Sequence, residues 1–175
     1  ITEYKTLNEA MKGVDYVFHL AALTSVTESL KYPKKTYEVN VEGTKNVIKA
    51  ALKNRVKKII YASTAAVYGE AKEIPIKEDH PNNPINVYGE SKLMTEKMIL
   101  WFGKLRGFNY VILRYFNVCG ASDDGAIGDS KKPSTLLVQN SVRGALCIEP
   151  FFLTCPKVDT PDKTPIRDYV DVVDL

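Results

Sequence analysis

The sequence predicts an α/β protein with a doubly wound parallel sheet, because short apolar runs alternate with helical patterns along its first two thirds. The apolar runs cover residues 14–21, 57–63 and 109–115, and each is typical of a strand buried on both faces of such a sheet. Helical patterns fill residues 36–54 and 88–105 between them. Parallel strands joined by right-handed crossovers all end at one edge, so we expect ligands to bind there.

The remaining chain consists of a short opening helix and a different last third. Residues 6–13 have an amphipathic helical pattern that ends at a glycine. Beyond residue 120 the alternation stops, and a turn pattern at 122–125 is followed by a short helical pattern at 135–146. We therefore expect residues 1–120 to belong to the sheet domain and residues 121–175 to start a smaller lobe that stops in mid-element.

The composition excludes several classes of function. Hydrophobic residues make up 45% of the chain and charged residues 26%, which is ordinary for a globular protein. The net charge of +3 is scattered, and no apolar run approaches the ~20 residues of a membrane span, so neither a nucleic-acid partner nor a membrane is expected. The three cysteines form no Cys-x-x-Cys pair and suggest reduced thiols in the cytoplasm. With two histidines in all, no metal site is predicted.

A tyrosine and a lysine open the helical pattern of residues 88–105. Tyr88 and Lys92 are four residues apart, so on a helix they share one face, and a neighbouring ammonium lowers the pKa of a phenol from its usual ~10. The pair is therefore a candidate general base. An apolar stripe is expected to fix this helix, and it consists of Met94, Met98, Trp101, Phe102 and Leu105.

The same short motif also arises by chance, and a second copy, Tyr68 and Lys72, lies nearby. That copy is followed by Pro75 and has no helical stripe, so nothing in its pattern places the two side chains on one face. The Tyr88 pair is thus the better candidate, and its surroundings decide between catalysis and coincidence.

The segments after the strand ends would gather small residues, hydroxyls and an amide in one crevice. They are residues 19–22, 63–66 and 115–117. Ala21 and Ala22 suit either tight helix–strand packing or the close approach of a flat cofactor. Thr64 either caps a turn or shares a hydrogen bond with a reacting hydroxyl. His19 is predicted to be a satisfied strand-end histidine, and Asn40, a poor helix former, either faces solvent or has a polar role.

In this order and spacing the residues resemble the extended short-chain dehydrogenase/reductase superfamily, and most closely its UDP-glucose 4-epimerases. The resemblance covers essentially the whole chain and implies a Rossmann-like NAD-binding domain, with the first β-α-β unit and its glycine-rich loop preceding Ile1, and the start of a smaller substrate-binding lobe. The segments that carry it are His19 to Ala22, Asn40 with Gly43 and Thr44, Ser63 to Gly69, Tyr88 with Lys92, Arg114 to Asn117, and Arg167 to Tyr169.

The resemblance implies NAD-dependent 4-epimerisation of a nucleotide sugar, UDP-glucose to UDP-galactose. Tyr88 would take the proton of the C4 hydroxyl while NAD takes the C4 hydride. Lys92 would lower the pKa of Tyr88 and hold the nicotinamide ribose, and Thr64 would hydrogen-bond the reacting oxygen. These three residues are the implied catalytic group.

The resemblance also implies the binding residues. Those expected at NAD are Ile1, Leu20, Ala21, Ala22, Thr24, Asn40, Thr64, Tyr88, Lys92, Tyr115 and Phe116. Those expected at the UDP-hexose are Thr64, Tyr88, Asn117, Thr135, Leu136 and Arg167, with Arg167 bound to the diphosphate. The full-length protein is expected to be a cytoplasmic homodimer without a metal.

Two alternatives remain beside this interpretation. The chain resembles the related 4,6-dehydratases less, because Ala65 and Ala66 stand where those enzymes carry an Asp-Glu pair. Departures from the epimerases at Thr24, Thr154 and Lys163, which replace a lysine, an aromatic residue and a glycine, leave room for a UDP-uronate or UDP-pentose epimerase or decarboxylase. A catalytically silent nucleotide-binding regulator is the other alternative, although it would not need Thr64, Tyr88 and Lys92 together.

Overall fold

A computed structural model describes residues 1–152 and 158–175 in two compact units, Ile1–Tyr115 and Phe116–Leu175. The first unit contains α1 (Tyr4–Ala10), β1 (Tyr16–His19), α2 (Val26–Lys31), α3 (Pro33–Tyr37), a π-helical turn (Glu38–Glu42), α4 (Gly43–Lys53), β2 (Lys58–Ala62), a 3₁₀ turn (Ala65–Val67), α5 (Val87–Arg106) and β3 (Asn109–Leu113). The second contains β4 (Asn117–Cys119), α6 (Leu137–Ala145) and β5 (Tyr169–Asp171). No helix of the described chain is long and apolar enough to cross a membrane.

The three strands of the first unit form a parallel sheet in the order β1-β2-β3, which confirms the predicted α/β class. In its register, His19 pairs with Tyr61 and Tyr61 with Ile112. This row and its neighbour at Ile59 face the helices, where Ile59 and Tyr61 pack with core residues of α4 and α5. The core members are Met11, Val47, Ile48, Ala50, Ala51, Val56, Ile59, Tyr61 and Ile99. Full burial of an aliphatic side chain of this kind contributes about 1.5–3 kcal/mol.

The opposite face of the sheet is not buried, so the prediction of strands covered on both faces is wrong for β1 and β3. Phe18 is 69% exposed, and Tyr16 and Val111 are exposed as well. Successive side chains of a strand point to opposite faces, so these three cannot join the core that Val17 and His19 contact. An apolar run shows that both faces are apolar; it does not show what covers them.

Two helical predictions need correction. The predicted helix at 36–54 is divided, because the π-helical turn of Glu38–Glu42 interrupts it at Asn40. Helix α5 forms as predicted, but its apolar stripe does not face the core: Trp101 is 59% exposed and Leu105 70%. The buried side of α5 instead carries polar residues of the candidate site, among them Ser91, Lys92, Thr95 and Glu96.

The other sequence predictions differ from the structure mainly at element ends. The opening helix is α1 and precedes Gly13, whose φ of 72° suits glycine, and the pattern at 135–146 forms α6. Three short elements were not predicted: α2, which Ser25 caps by accepting the Glu28 N–H at 3.1 Å, and the parallel pair β4 and β5.

Candidate functional site

The first turns of α5 place Tyr88 and Lys92 on the side of the helix that faces the sheet. Asn86 caps the helix, since its Oδ1 accepts the Gly89 N–H at 2.8 Å. Tyr88 is half-buried, while Lys92 is 3% exposed. The Lys92 Nζ lies 4.3 Å from the centre of the Tyr61 ring in β2, a cation–π contact that holds the ammonium beneath the strand end.

The charges of this pair differ from the sequence prediction. Burial raises the pKa of Tyr88, and the side chain of Thr64, not Lys92, opposes that effect. Burial lowers the pKa of Lys92 to about 8, and the Glu96 carboxylate acts in the opposite direction. The expectation that Lys92 lowers the pKa of Tyr88 is therefore wrong for this structure: both groups lose water, and the ammonium lies on Tyr61.

Thr64 performs the local role that the sequence allowed and also lies beside Tyr88. Its Oγ1 accepts the Ala66 N–H at 3.1 Å and so caps the 3₁₀ turn after β2. The turn lies close to α5, because a Cβ on Gly89 would be 2.8 Å from the Ala66 carbonyl oxygen. Ala65 and Ala66 line this turn with methyl groups, which cannot transfer protons.

Asn40 connects the loop after β1 to the start of α5. Its Oδ1 accepts the Leu23 N–H at 2.8 Å, and its Nδ2 donates to the Leu23 carbonyl and to Ser91 Oγ, each at 3.0 Å. Ser91 Oγ in turn donates to the Tyr88 carbonyl at 2.7 Å. Both N–H donors of Asn40 thus have partners within the protein, so this residue acts on the predicted cofactor site by holding its loop.

That loop presents most of the small residues predicted for the cofactor. Leu20, Ala21 and Thr24 are exposed and Ala22 is half-buried, which favours an accessible surface over tight packing. Ile1 is half-buried and packs against Gly43, where an added Cβ would be 2.7 Å from the Ile1 side chain.

His19 and Tyr115 complete the strand ends of the first unit. The Nε2 of His19 lies 2.8 Å from Thr44 Oγ1, which confirms a satisfied histidine. Burial, and then the positive charge of Lys92, lower the pKa of His19 to about 4, so it is neutral at physiological pH. The Tyr115 carbonyl accepts the Ala65 N–H at 3.1 Å, and burial raises the pKa of its phenol.

The predicted substrate residues of the second unit line one cavity of about 1270 Å³, and they are Asn117, Thr135, Leu136 and Arg167. Asn117 is fixed at the start of β4, since its Nδ2 donates to the Asp168 carbonyl at 2.9 Å. Arg167 is exposed and donates only one bond within the described chain, to the Ile166 carbonyl at 2.7 Å. Phe116, predicted at the cofactor, is 45% exposed. Thr154 lies outside the described residues.

Lys163 shows why a glycine is usual at its position in the resembled family. Its φ is 62°, in the left-handed region that side chains disfavour, and Thr164 next to it is held by Asp162. The loop keeps this turn with a lysine.

Sequence reasoning missed a charged cluster beneath the site. Arg114 grips the Glu96 carboxylate with two nitrogen atoms, at 2.6 and 3.0 Å, and Ser63 Oγ also donates to Glu96. The spacing of Glu96, one turn after Lys92, was a usable signal. Its partners come from strand ends that only the fold brings near.

Comparison with known proteins identifies the family. The NAD dependent epimerase/dehydratase family matches residues 1–175. UDP-glucose 4-epimerase of Lactobacillus helveticus is 45% identical over 163 residues, which are 93% of this chain and 49% of the relative. Putative UDP-arabinose 4-epimerase 4 of Arabidopsis thaliana is 43% identical over 168 residues, 92% of this chain and 38% of the relative. The chain thus spans about half the length of these curated relatives, or less.

Solved structures agree with these relatives. UDP-glucose 4-epimerase from Brucella ovis in complex with NAD matches with a TM-score of 0.92 and 36% identity, over 99% of this chain and 54% of that one. The enzyme from Bifidobacterium longum in complex with NAD+ and UDP matches with a TM-score of 0.90 and 35% identity, over 99% and 53%. From its sequence and its fold alike, the chain belongs to the NAD dependent epimerase/dehydratase family.

Proposed function

We propose that the full-length protein is an NAD-dependent 4-epimerase that interconverts UDP-glucose and UDP-galactose. The observation that carries the proposal is the arrangement of Tyr88, Lys92 and Thr64 on facing elements of one unit, beside alanines where a dehydratase needs acid and base groups. The relatives named UDP-glucose 4-epimerase support it.

The residues around the strand ends fit NAD, because an exposed loop with small side chains lies beside a buried cation. Ile1, residues 20–24, Tyr115 and Phe116 would contact the cofactor, and Lys92 would donate to its nicotinamide ribose. Asn40 would hold the loop. The chemistry that bound NAD supplies is removal of a hydride from C4 and its return to the opposite face of the sugar.

Tyr88 would move the proton of the C4 hydroxyl, with Thr64 hydrogen-bonded to the same oxygen. A phenolate whose pKa is raised by burial is a stronger base toward an alcohol, although less of it forms at neutral pH. The returning proton comes from the same phenol, so Tyr88 serves as base in one half-reaction and as acid in the other.

The cavity of the second unit would receive the nucleotide part of the substrate. Arg167 carries a charged planar fork suited to the oxygens of a diphosphate, and its exposed guanidinium keeps donors available for them. Asn117, Thr135 and Leu136 supply an amide, a hydroxyl and an apolar wall of the same cavity. UDP-arabinose is a second candidate substrate, since two similar relatives are named UDP-arabinose 4-epimerases.

The direct test supplies the full-length protein with NAD and UDP-glucose and separates the products by chromatography. We expect UDP-galactose and no loss of water, because Ala65 and Ala66 provide no group for elimination. UDP-arabinose in a parallel reaction is the matched comparison. A 4-keto-6-deoxy sugar would contradict the proposal, and turnover of UDP-arabinose alone would select the second candidate.

We also propose that the full-length protein is a cytoplasmic homodimer. Trp101 and Leu105 form an exposed apolar surface on α5 that a second copy could cover, and the free thiols of Cys119 and Cys147 suit a reducing compartment. A monomeric mass by light scattering at micromolar concentration would exclude the dimer.

A further inference from the structure

Glu96 is a buried carboxylate that the proposed reaction does not use. The residue is 1% exposed and lies on α5 one turn after Lys92. A buried charge of this kind is costly unless it is paired and hydrogen-bonded. Here it is fully partnered, by Arg114 and by Ser63.

The partners of Glu96 occupy equivalent places at two strand ends. Ser63 follows β2 and precedes Thr64, and Arg114 follows β3 and precedes Tyr115. The two ends are also joined directly, since the Ser63 N–H donates to the Leu113 carbonyl at 2.8 Å. One carboxylate on α5 therefore holds both backbone segments that present site residues, and it does so from the helix that carries Tyr88.

Glu96 is also the only anion among the ionisable groups that the structure places around Lys92. Tyr88 and Glu96 come from α5 itself, Tyr61 from β2, His19 from β1 and Arg114 from the end of β3. The tyrosines and the histidine are neutral at physiological pH, because burial raises the pKa of both phenols and lowers that of His19. Burial lowers the pKa of Lys92 to about 8, and Glu96 opposes this.

We propose that Glu96 is a positioning residue of this site, whose carboxylate fixes the strand ends before Thr64 and Tyr115 to α5 and keeps Lys92 charged. The inference rests on the proposed function, in which Lys92 acts as an ammonium. Arg114 neutralises the carboxylate only in part, because it grips the side away from solvent with two bonds and packs over the Tyr68 ring, 4.8 Å from its centre.

The test is the pH dependence of kcat in the full-length protein with Glu96→Gln, which keeps the shape and removes the charge. Without the anion Lys92 loses its proton at lower pH, so the alkaline limb should move down by about one pH unit, the scale of one nearby charge. Thr95→Val is the matched control. Thr95 is also buried on α5 and bonded to Tyr61, but it carries no charge, so this variant should lose stability and keep the limb.

Two further measurements keep the test decisive. If Glu96→Gln does not fold, Glu96→Asp retains the charge and should leave the limb in place; a limb that moves would overturn the proposal, as would an unmoved limb in Glu96→Gln. Titration of the Lys92 side chain by NMR in lysine-labelled protein reports its proton without turnover. Failure of the epimerase proposal would appear as inactive unchanged protein, whereas failure of this inference would appear as identical Lys92 titrations in unchanged protein and Glu96→Gln.

Discussion

At the residue scale, the site consists of polar side chains that burial has made unusual. Lys92 is held on the Tyr61 ring, Asn40 bonds to the two segments it joins, and His19 is neutral against Thr44. Each has given up water for a fixed partner, which is the condition for a shifted pKa. The sequence could select Tyr88 and Lys92, because helical spacing is local. It could not predict the direction of the Tyr88 pKa, which depends on burial by distant strands.

His19 gives this scale its own prediction. Its pKa falls from the ordinary 6.5 to about 4 in the folded protein, so the unfolded chain binds a proton that the folded one refuses. The stabilisation is complete above pH 6.5 and is lost as the pH falls toward 4, about 2 kcal/mol of the free energy of unfolding by pH 5. Urea unfolding of full-length protein at pH 7, 6 and 5 should show this loss, and His19→Gln should lack it. An equal pH dependence in both proteins would contradict the assignment.

At the element scale, the sequence predicted which segments form strands and helices better than it predicted their surroundings. The three strands and α5 follow from apolar runs and helical spacing. The buried face of α5 did not, because its polar residues are buried by Tyr61, Ser63 and Arg114, which come from elsewhere in the chain. The β4–β5 pair joins strands of three residues across a long separation, and so short a strand leaves no periodic pattern.

The cap of α5 should matter because the helix begins immediately before Tyr88. Asn86→Ala removes the acceptor for the Gly89 N–H and should lower the free energy of unfolding by about 1 kcal/mol. Asn86→Asp keeps an oxygen at that place and adds a charge that the start of a helix favours, so it should remain close to the unchanged protein. Urea denaturation midpoints of the two variants provide the measurement. Equal losses would mean that the cap does not stabilise α5.

At the scale of the whole molecule, each unit gathers one part of the predicted site. The first holds Tyr88, Lys92 and Thr64 with the loop at 20–24, and the second surrounds a cavity with Asn117, Thr135, Leu136 and Arg167. Most of these positions could be predicted because the family resemblance places motifs in order along the chain. The charged cluster of Glu96, Ser63 and Arg114 could not, since it arises only when two strand ends meet one helix.

The central claim is that Tyr88, and not Tyr68 of the second Tyr-x-x-x-Lys string, moves the proton. Tyr68 is buried against Arg114 and His80, and the residues after it form no helix that would bring Lys72 to its side. In the full-length protein, Tyr88→Phe should lower kcat at least ~10²-fold while NAD stays bound, because a positioned acid–base group contributes ~10² to 10⁴ in rate. Tyr68→Phe should lower kcat less than about tenfold, the effect of a packing disturbance of ~1.4 kcal/mol. The measurement is kcat of both variants with bound NAD checked by absorbance, and a greater loss in Tyr68→Phe would contradict the claim.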